Sequence, residues 1–259
     1  MDGNQSYRQE TESVICLEIS QYTFAEVGAS ACTAISLAAL SKILFALKFG
    51  NLDNISSNLT NAIFESINSL TVIYGGNRHL SVDELATSLL PPYMHSVSAV
   101  PLQGLLSYQY NHFRNAFAEA RRLCAADTAS SSASSSIGIV ITKPPETVCV
   151  ILPPISAAVS DSHPPTTATT SSSKYYLFDP HARPQLGLDG AYLVSSELEV
   201  DILQRLDELF PLLPVDSDCG DYGGGGMYNS DSGYGSNNSG NFGAMMYNMF
   251  ECWIFQVDG

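Results

Sequence analysis

Gly28-Ala-Ser-Ala-Cys-Thr-Ala-Ile-Ser-Leu-Ala-Ala-Leu-Ser-Lys-Ile-Leu-Phe-Ala-Leu-Lys-Phe49 is apolar around nearly its whole helical circumference. A helix of that kind belongs either in a membrane or at the centre of a core. Lys42 sits mid-stretch, where a charge is costly in lipid, so the segment reads as a buried central helix over residues 31–49. Ser30 is the expected N-cap, and Gly50-Asn51 the expected stop. Cys32 then falls at the helix head, where the positive end of the macrodipole and unpaired backbone N–H groups favour a thiolate. Taken alone, such a cysteine reads more readily as an inert core thiol.

Upstream, residues 18–24 have the β-branched and aromatic character of a short extended segment. Downstream, Leu59, Ile63, Ile67 and Leu70 recur at helical spacing over 55–70, and Gly75-Gly76 ends the pattern. Ser81 and Glu84 form a capping box that opens a short helix before Pro91-Pro92. Phe113, Phe117, Ala120 and Cys124 mark a further amphipathic helix over 110–125. Strands follow at 137–142 and 147–152, joined by Lys143-Pro-Pro-Glu146 in a hairpin-like connection, then at 174–178 and 190–195. Val200, Leu203, Leu206 and Phe210 define a helix over 197–210, and MFECWIFQV at 249–257 alternates like a strand.

Helices first and a mostly antiparallel sheet afterwards is the segregated α+β pattern, with the central helix packed on the sheet. The length suits one domain at 15–259 behind a flexible N-terminus at 1–14. Low-complexity insertions near 127–136, 153–173 and 217–243 have no apolar face to bury and read as disordered.

A formal charge of -15, from 26 acidic against 11 basic residues, argues against a nucleic-acid partner, because little is present to neutralise phosphates. A basic protein or peptide partner fits better. Cys16, Cys32, Cys124, Cys149, Cys219 and Cys252 form no C-x-x-C pair, which disfavours a zinc site and a disulfide framework. The polar start, MDGNQSYRQETES, lacks a secretory pattern, so a cytoplasmic or nuclear address is expected and the sequons at Asn54 and Asn58 carry no weight.

The second chemical signal is Tyr175-Tyr-Leu-Phe-Asp-Pro-His181, a strand-like run ending in an acid two positions before a histidine. If the backbone stays extended, Asp179 and His181 point to one side, and the carboxylate can hold the imidazole in the tautomer that accepts a thiol proton. The alternative is an ordinary Asp-Pro turn with a solvated histidine. Together with Cys32, the pair completes a nucleophile, a base and its orienter, the set that thiol acyl transfer requires. Gln21, eleven residues before Cys32, is a candidate oxyanion donor beside the Cys32 backbone N–H, or else merely a polar strand residue. His79, His95, His112 and His163 have no metal-ligand spacing, so no metal or cofactor is expected. His163 is the rival base, placed in the Pro/Ser/Thr-rich insertion.

Gln21, the G-A-S-A-C-T-A-I-S segment and Y-L-F-D-P-H followed by G-A-Y-L-V-S-S together resemble the herpesvirus large-tegument-protein ubiquitin-specific proteases and their relatives, over residues 15–210. The resemblance implies a papain-like fold and hydrolysis after the C-terminal glycine of ubiquitin. It implies Cys32 as nucleophile, His181 as base, Asp179 as orienter and Gln21 in the oxyanion hole. Separately, a monomer with no membrane partner is expected. Acidic residues such as Glu26, Asp83 and Glu84 could meet ubiquitin's basic tail, and Tyr175, Tyr192 and Trp253 either line the cleft or fill the core. A protease for a ubiquitin-like modifier or another peptide, and an inactive ubiquitin- or protein-binding module, remain open on the same residues.

Overall fold

IGIVITK at 137–143 and ETVCVIL at 146–152 are apolar at successive as well as alternate positions, so the strands they form need cover on both faces. The computed structural model describes residues 12–24, 27, 30–74, 80–106, 112–127, 135–154, 174–213 and 248–257. In chain order the elements are β1 (Glu12–Cys16), α1 (Cys32–Phe49), α2 (Ile55–Tyr74), α3 (Val82–Leu89), β2 (Met94–Ser96), β3 (Leu102–Leu105), α4 (His112–Asp127), β4 (Ile137–Lys143), β5 (Glu146–Leu152), β6 (Tyr175–Asp179), β7 (Tyr192–Ser196), α5 (Glu199–Leu209) and β8 (Met249–Val257). One 8-stranded sheet runs β1-β7-β6-β5-β4-β8-β2, with β3 also on β8. Its pairings are antiparallel.

The sheet is antiparallel with α1 packed on it, as expected of an α+β chain, and helices cover both of its faces. Val140, Cys149, Ile151 and Phe178 pack under α1, with α2 and α3 completing the same cluster. Ile139, Ile141, Val148 and Val150 form a second core with Phe113 and Phe117 of α4 and Leu203 and Leu206 of α5. The alternation of β8 divides in the same way, sending Phe250, Cys252 and Ile254 to the α4/α5 side and Phe255 and Val257 to the α1 side.

α1 is long and apolar enough to cross a membrane by length and composition, with mean hydropathy 1.6 over its window. Here the sheet, α2 and α3 bury most of that surface, and Lys42 reaches Glu65 on α2 at 3.2 Å. Gly50 ends the helix in the left-handed conformation at φ 64°, its N–H returning to Ala46 and Leu47 carbonyls. That is the stop the sequence predicts.

Several boundaries differ from the sequence expectation. β1 begins at Glu12, inside the segment expected to be flexible, because its backbone finds a complete partner in β7 from Glu12↔Ser196 to Cys16↔Tyr192. Residues 18–24 are not a strand but contain a 3₁₀ turn at Gln21–Thr23, closed by a reciprocal Ser20/Thr23 capping box. β2 and β3 were not anticipated: only three and four residues long, they are strands because β8 offers them an open edge. Val200, assigned to the apolar face of α5, is 52% exposed, whereas Ile202 is fully buried. Most of the three low-complexity tracts lies outside the described residues.

Two glycines permit close approaches between elements. Gly190 lies against the 17–19 backbone, where Leu17 N–H donates to the Ala191 carbonyl and Ala191 N–H to the Ile19 carbonyl, both at 2.8 Å. A Cβ at Gly190 would stand 1.9 Å from the Leu17 carbonyl oxygen, and one at Gly138 would stand 2.8 Å from a Leu40 methyl. Backbone cannot yield and a leucine tip can. Gly190→Ala should therefore cost about 3 kcal/mol or more and Gly138→Ala about 1 kcal/mol, compared by urea unfolding. Equal losses would contradict this account of the two contacts.

Candidate active site

Cys32 is the first residue of α1, and its N-cap is Ala31 rather than Ser30. Ser30 turns its hydroxyl back to the Val27 carbonyl at 3.1 Å, and Ala31 offers no side-chain cap. No cap oxygen therefore competes for the first N–H groups of α1, which stay available to negative charge beside the thiol. The thiol is 1% exposed, and its Sγ donates to the Pro145 carbonyl at 3.6 Å in the β4–β5 turn.

β6 delivers the second half of the site. It ends at Asp179, and the chain continues extended enough for Asp179 and His181 to face each other. Asp179 Oδ1 accepts from the His181 backbone N–H at 2.9 Å and pairs with His181 Nδ1 at 2.5 Å. Its Oδ2 accepts from Arg183 Nε at 2.8 Å and from the Tyr192 hydroxyl at 3.2 Å. With Nδ1 occupied, the other ring nitrogen is left for Cys32, which lies near enough that each group shifts the protonation of the other. Cys32, Asp179 and His181 are therefore brought together, from two segments about a hundred and fifty residues apart along the chain.

The protonation balance follows from burial and partners. For Cys32, burial pushes the thiol up, but the His181 ring, followed by the Thr147 and Thr33 hydroxyls, outweighs it and holds the thiol below its ordinary value. The helix dipole alone contributes about 0.3–2 kcal/mol, at most about one and a half pKa units, too little to carry a thiolate this deeply buried. The imidazolium is the necessary partner. Burial opposes the His181 charge as well, yet the hydrogen bonds to Asp179 and Cys32 raise it to about 9. For Asp179, burial favours the neutral acid, and His181 and then Arg183 overcome it, so the carboxyl sits below its usual range. A thiolate–imidazolium pair oriented by a carboxylate can attack a carbonyl and then protonate the leaving group.

Gln21 joins the site through its backbone, whose N–H donates to the Pro180 carbonyl at 3.0 Å, between Asp179 and His181. Its side chain is 2% exposed, and Oε1 has no hydrogen-bond partner among the described residues. An unpaired buried amide oxygen costs about 1–3 kcal/mol, so stability does not explain the residue. Tyr22 covers this corner, its ring 5.8 Å from that of His181.

Several contributors were not visible beforehand. Thr147 is one: its hydroxyl meets those of Thr33 at 3.1 Å and Thr142 at 3.2 Å, and neither spacing nor motif marks a threonine. Arg183 stood two positions past His181, and only the fold reveals its partners. Of the aromatic candidates, Tyr192 is buried with its hydroxyl on Asp179, Tyr175 sits by Arg121 and Glu199 under α4 and α5, and Trp253 packs against the α1 core. Glu84 is engaged with Ser81 in the α3 capping box, and Glu26 and His163 lie outside the described residues. Among the described residues, no group of three or more His, Cys, Asp or Glu is placed to hold a metal ion.

No family model and no curated protein matches the chain. Among solved structures it is similar to the ubiquitin-specific protease encoded by a murine cytomegalovirus tegument protein, solved in complex with a ubiquitin-based suicide substrate. The identity is 10%, the match covers 94% of this chain and 85% of that chain, and the TM-score is 0.48.

The His181 assignment can be read directly. Its ring protons, followed by NMR, should titrate near pH 9 in the wild type. In Asp179→Asn the midpoint should fall by about one unit or more towards the ordinary histidine value of about 6.5, because the carboxylate no longer stabilises the imidazolium. A wild-type midpoint already near 6.5 would sink the ion pair.

Proposed function

We propose that the protein is a papain-like thiol peptidase acting on the bond that follows the C-terminal glycine of ubiquitin. The observation carrying the thiol-peptidase part is the Asp179–His181 pair at 2.5 Å, its imidazole engaged with a cysteine at the head of the central helix. The narrower substrate rests on the sequence resemblance of D-P-H and the G-A-Y-L strand to the tegument ubiquitin-specific proteases.

In the proposed cycle, the Cys32 thiolate adds to the glycine carbonyl, and the resulting oxyanion is met by the Cys32 backbone N–H and the Gln21 amide. His181 gives its proton to the departing lysine amine as the tetrahedral adduct collapses to a thioester. Water, deprotonated by His181, then attacks the thioester and releases the carboxylate, and the thiolate leaves to re-form the ion pair. Asp179 keeps the imidazole in the orientation that serves both transfers. Thr147 and Thr33 favour the thiolate between turnovers. The acidic balance of the chain suits a basic tail.

Ubiquitin carrying a C-terminal thiol-reactive group should label the wild type and not Cys32→Ala. Labelling that persists in Cys32→Ala removes Cys32 as nucleophile, and ubiquitin binding without labelling supports an inactive module. On a fluorogenic ubiquitin substrate, His181→Ala should lose several orders of magnitude in kcat, judged from triad removals elsewhere. Gln21→Ala should lose roughly 10²–10³-fold in kcat, the scale of one oxyanion donor. Near-normal turnover in either variant would contradict its role.

A further inference from the structure

Arg183 makes three directed contacts with two carboxylates that lie on different elements. Its Nε donates to Asp179 Oδ2 at 2.8 Å, and its two terminal nitrogens donate to Glu146 Oε1 at 2.9 Å and Oε2 at 2.7 Å. Glu146 is the first residue of β5 and follows Pro145, whose carbonyl accepts from the Cys32 thiol. One guanidinium thus spans from the acid behind His181 to the turn that lies on the nucleophile.

The backbone of Arg183 is itself held. Its N–H donates to the Leu188 carbonyl at 2.6 Å, Leu188 N–H returns the bond at 3.1 Å, and Gly187 at φ 73° turns the short loop between them. Only 11% of the side chain is exposed. Among cationic residues, only arginine offers a planar fork that can bind one carboxylate through two nitrogens and a second through Nε. Without it, Asp179 Oδ2 keeps the Tyr192 hydroxyl alone, and the carboxylate is held with Oδ1 on the imidazole by fewer and weaker contacts, the His181 backbone N–H and Tyr192.

We propose that Arg183 is a positioning residue whose bridge between Asp179 and Glu146 locks the Asp179–His181 pair in register with the β4–β5 turn over Cys32. The proposal rests on the reading that Cys32, His181 and Asp179 act as one unit, but not on ubiquitin as substrate.

The test is alkylation of Cys32 by iodoacetamide across pH, read on the Cys32 peptide by mass spectrometry relative to the exposed Cys16 in the same sample. Thermal melts verify that each variant is folded. Arg183→Met should raise the pH midpoint by about one unit, an approximately tenfold loss of rate on the acid side. Arg183→Lys, which keeps the charge and loses the fork, should recover less than half of that shift. Glu146→Gln should move the midpoint in the same direction, and the double variant no further than Arg183→Met, because the two contacts form one bridge. If Arg183→Met does not fold, the shape-preserving Glu146→Gln decides alone, and an unchanged midpoint there overturns the proposal. A depressed wild-type midpoint that a folded Arg183→Met leaves in place, or shifts that add in the double variant, overturns the bridge. A wild-type midpoint in the ordinary cysteine range overturns the Cys32–His181 pairing and the bridge with it.

Discussion

The Asp179 carboxylate is the constraint on which the rest of the site depends. It is fully buried and ionised, and all its stabilisation comes from four donors: two on His181, one on Arg183 and one on Tyr192. A buried charge that loses a partner costs about 3–5 kcal/mol, so the geometry around Asp179 is all-or-nothing. Burial and the Asp179 charge raise the Tyr192 hydroxyl, keeping it a donor, and Arg183 remains a cation because Glu146 and Asp179 outweigh the cost of its burial. Each donor comes from a place the sheet determines: the end of β6, the loop after it, and the start of β7. Order in the sheet therefore becomes order at one oxygen pair.

α1 supplies the other half by the same logic. Its apolar circumference forces it onto the middle of the sheet, across β4, β5 and β6, which places its first residue at the ends of those strands. There Thr33 and Ser36 reach Thr147 on β5, binding the first turn of the helix to the strand beside the hairpin. The cysteine is thus fixed by core packing on one side and by hydroxyl contacts on the other, while the histidine is fixed by its carboxylate. Neither half relies on a long flexible loop to meet the other.

Much of this was legible because it is written in periodicity and punctuation. The all-round apolar pattern with Gly50 after it located α1, β-branched runs around Pro144-Pro145 located β4 and β5, and an acid and a histidine two positions apart on a strand end located the dyad. What escaped depended on partners distant in sequence. β1, β2 and β3 have weak local signals and exist because β7 and β8 offer edges. Gln21 was read as lying on a strand; a backbone bond to Pro180 and a local capping box make that segment a 3₁₀ turn instead. The two-sided cover of the sheet was implicit in the double-faced apolarity of β4 and β5, which chain order alone does not reveal.

Burial of the site explains why so many polar groups surround it. Cys32 and His181 are each 1% exposed, so any charge that develops on them acts in a medium far less screening than water. That strengthens the attraction between thiolate and imidazolium, and it equally magnifies the cost of any donor or acceptor left unmatched. The fold meets this demand at Asp179 with four bonds and at Thr147 with a chain of hydroxyls. At Gln21 Oε1 it does not, and among the described residues that is the one buried side-chain atom left unmatched, on a residue whose backbone N–H holds Pro180 between Asp179 and His181. That oxygen is an acceptor, so only the Nε2 side of the same amide has the donors that could meet a carbonyl oxygen beside the thiol; the unmatched Oε1 is the cost of holding the amide there.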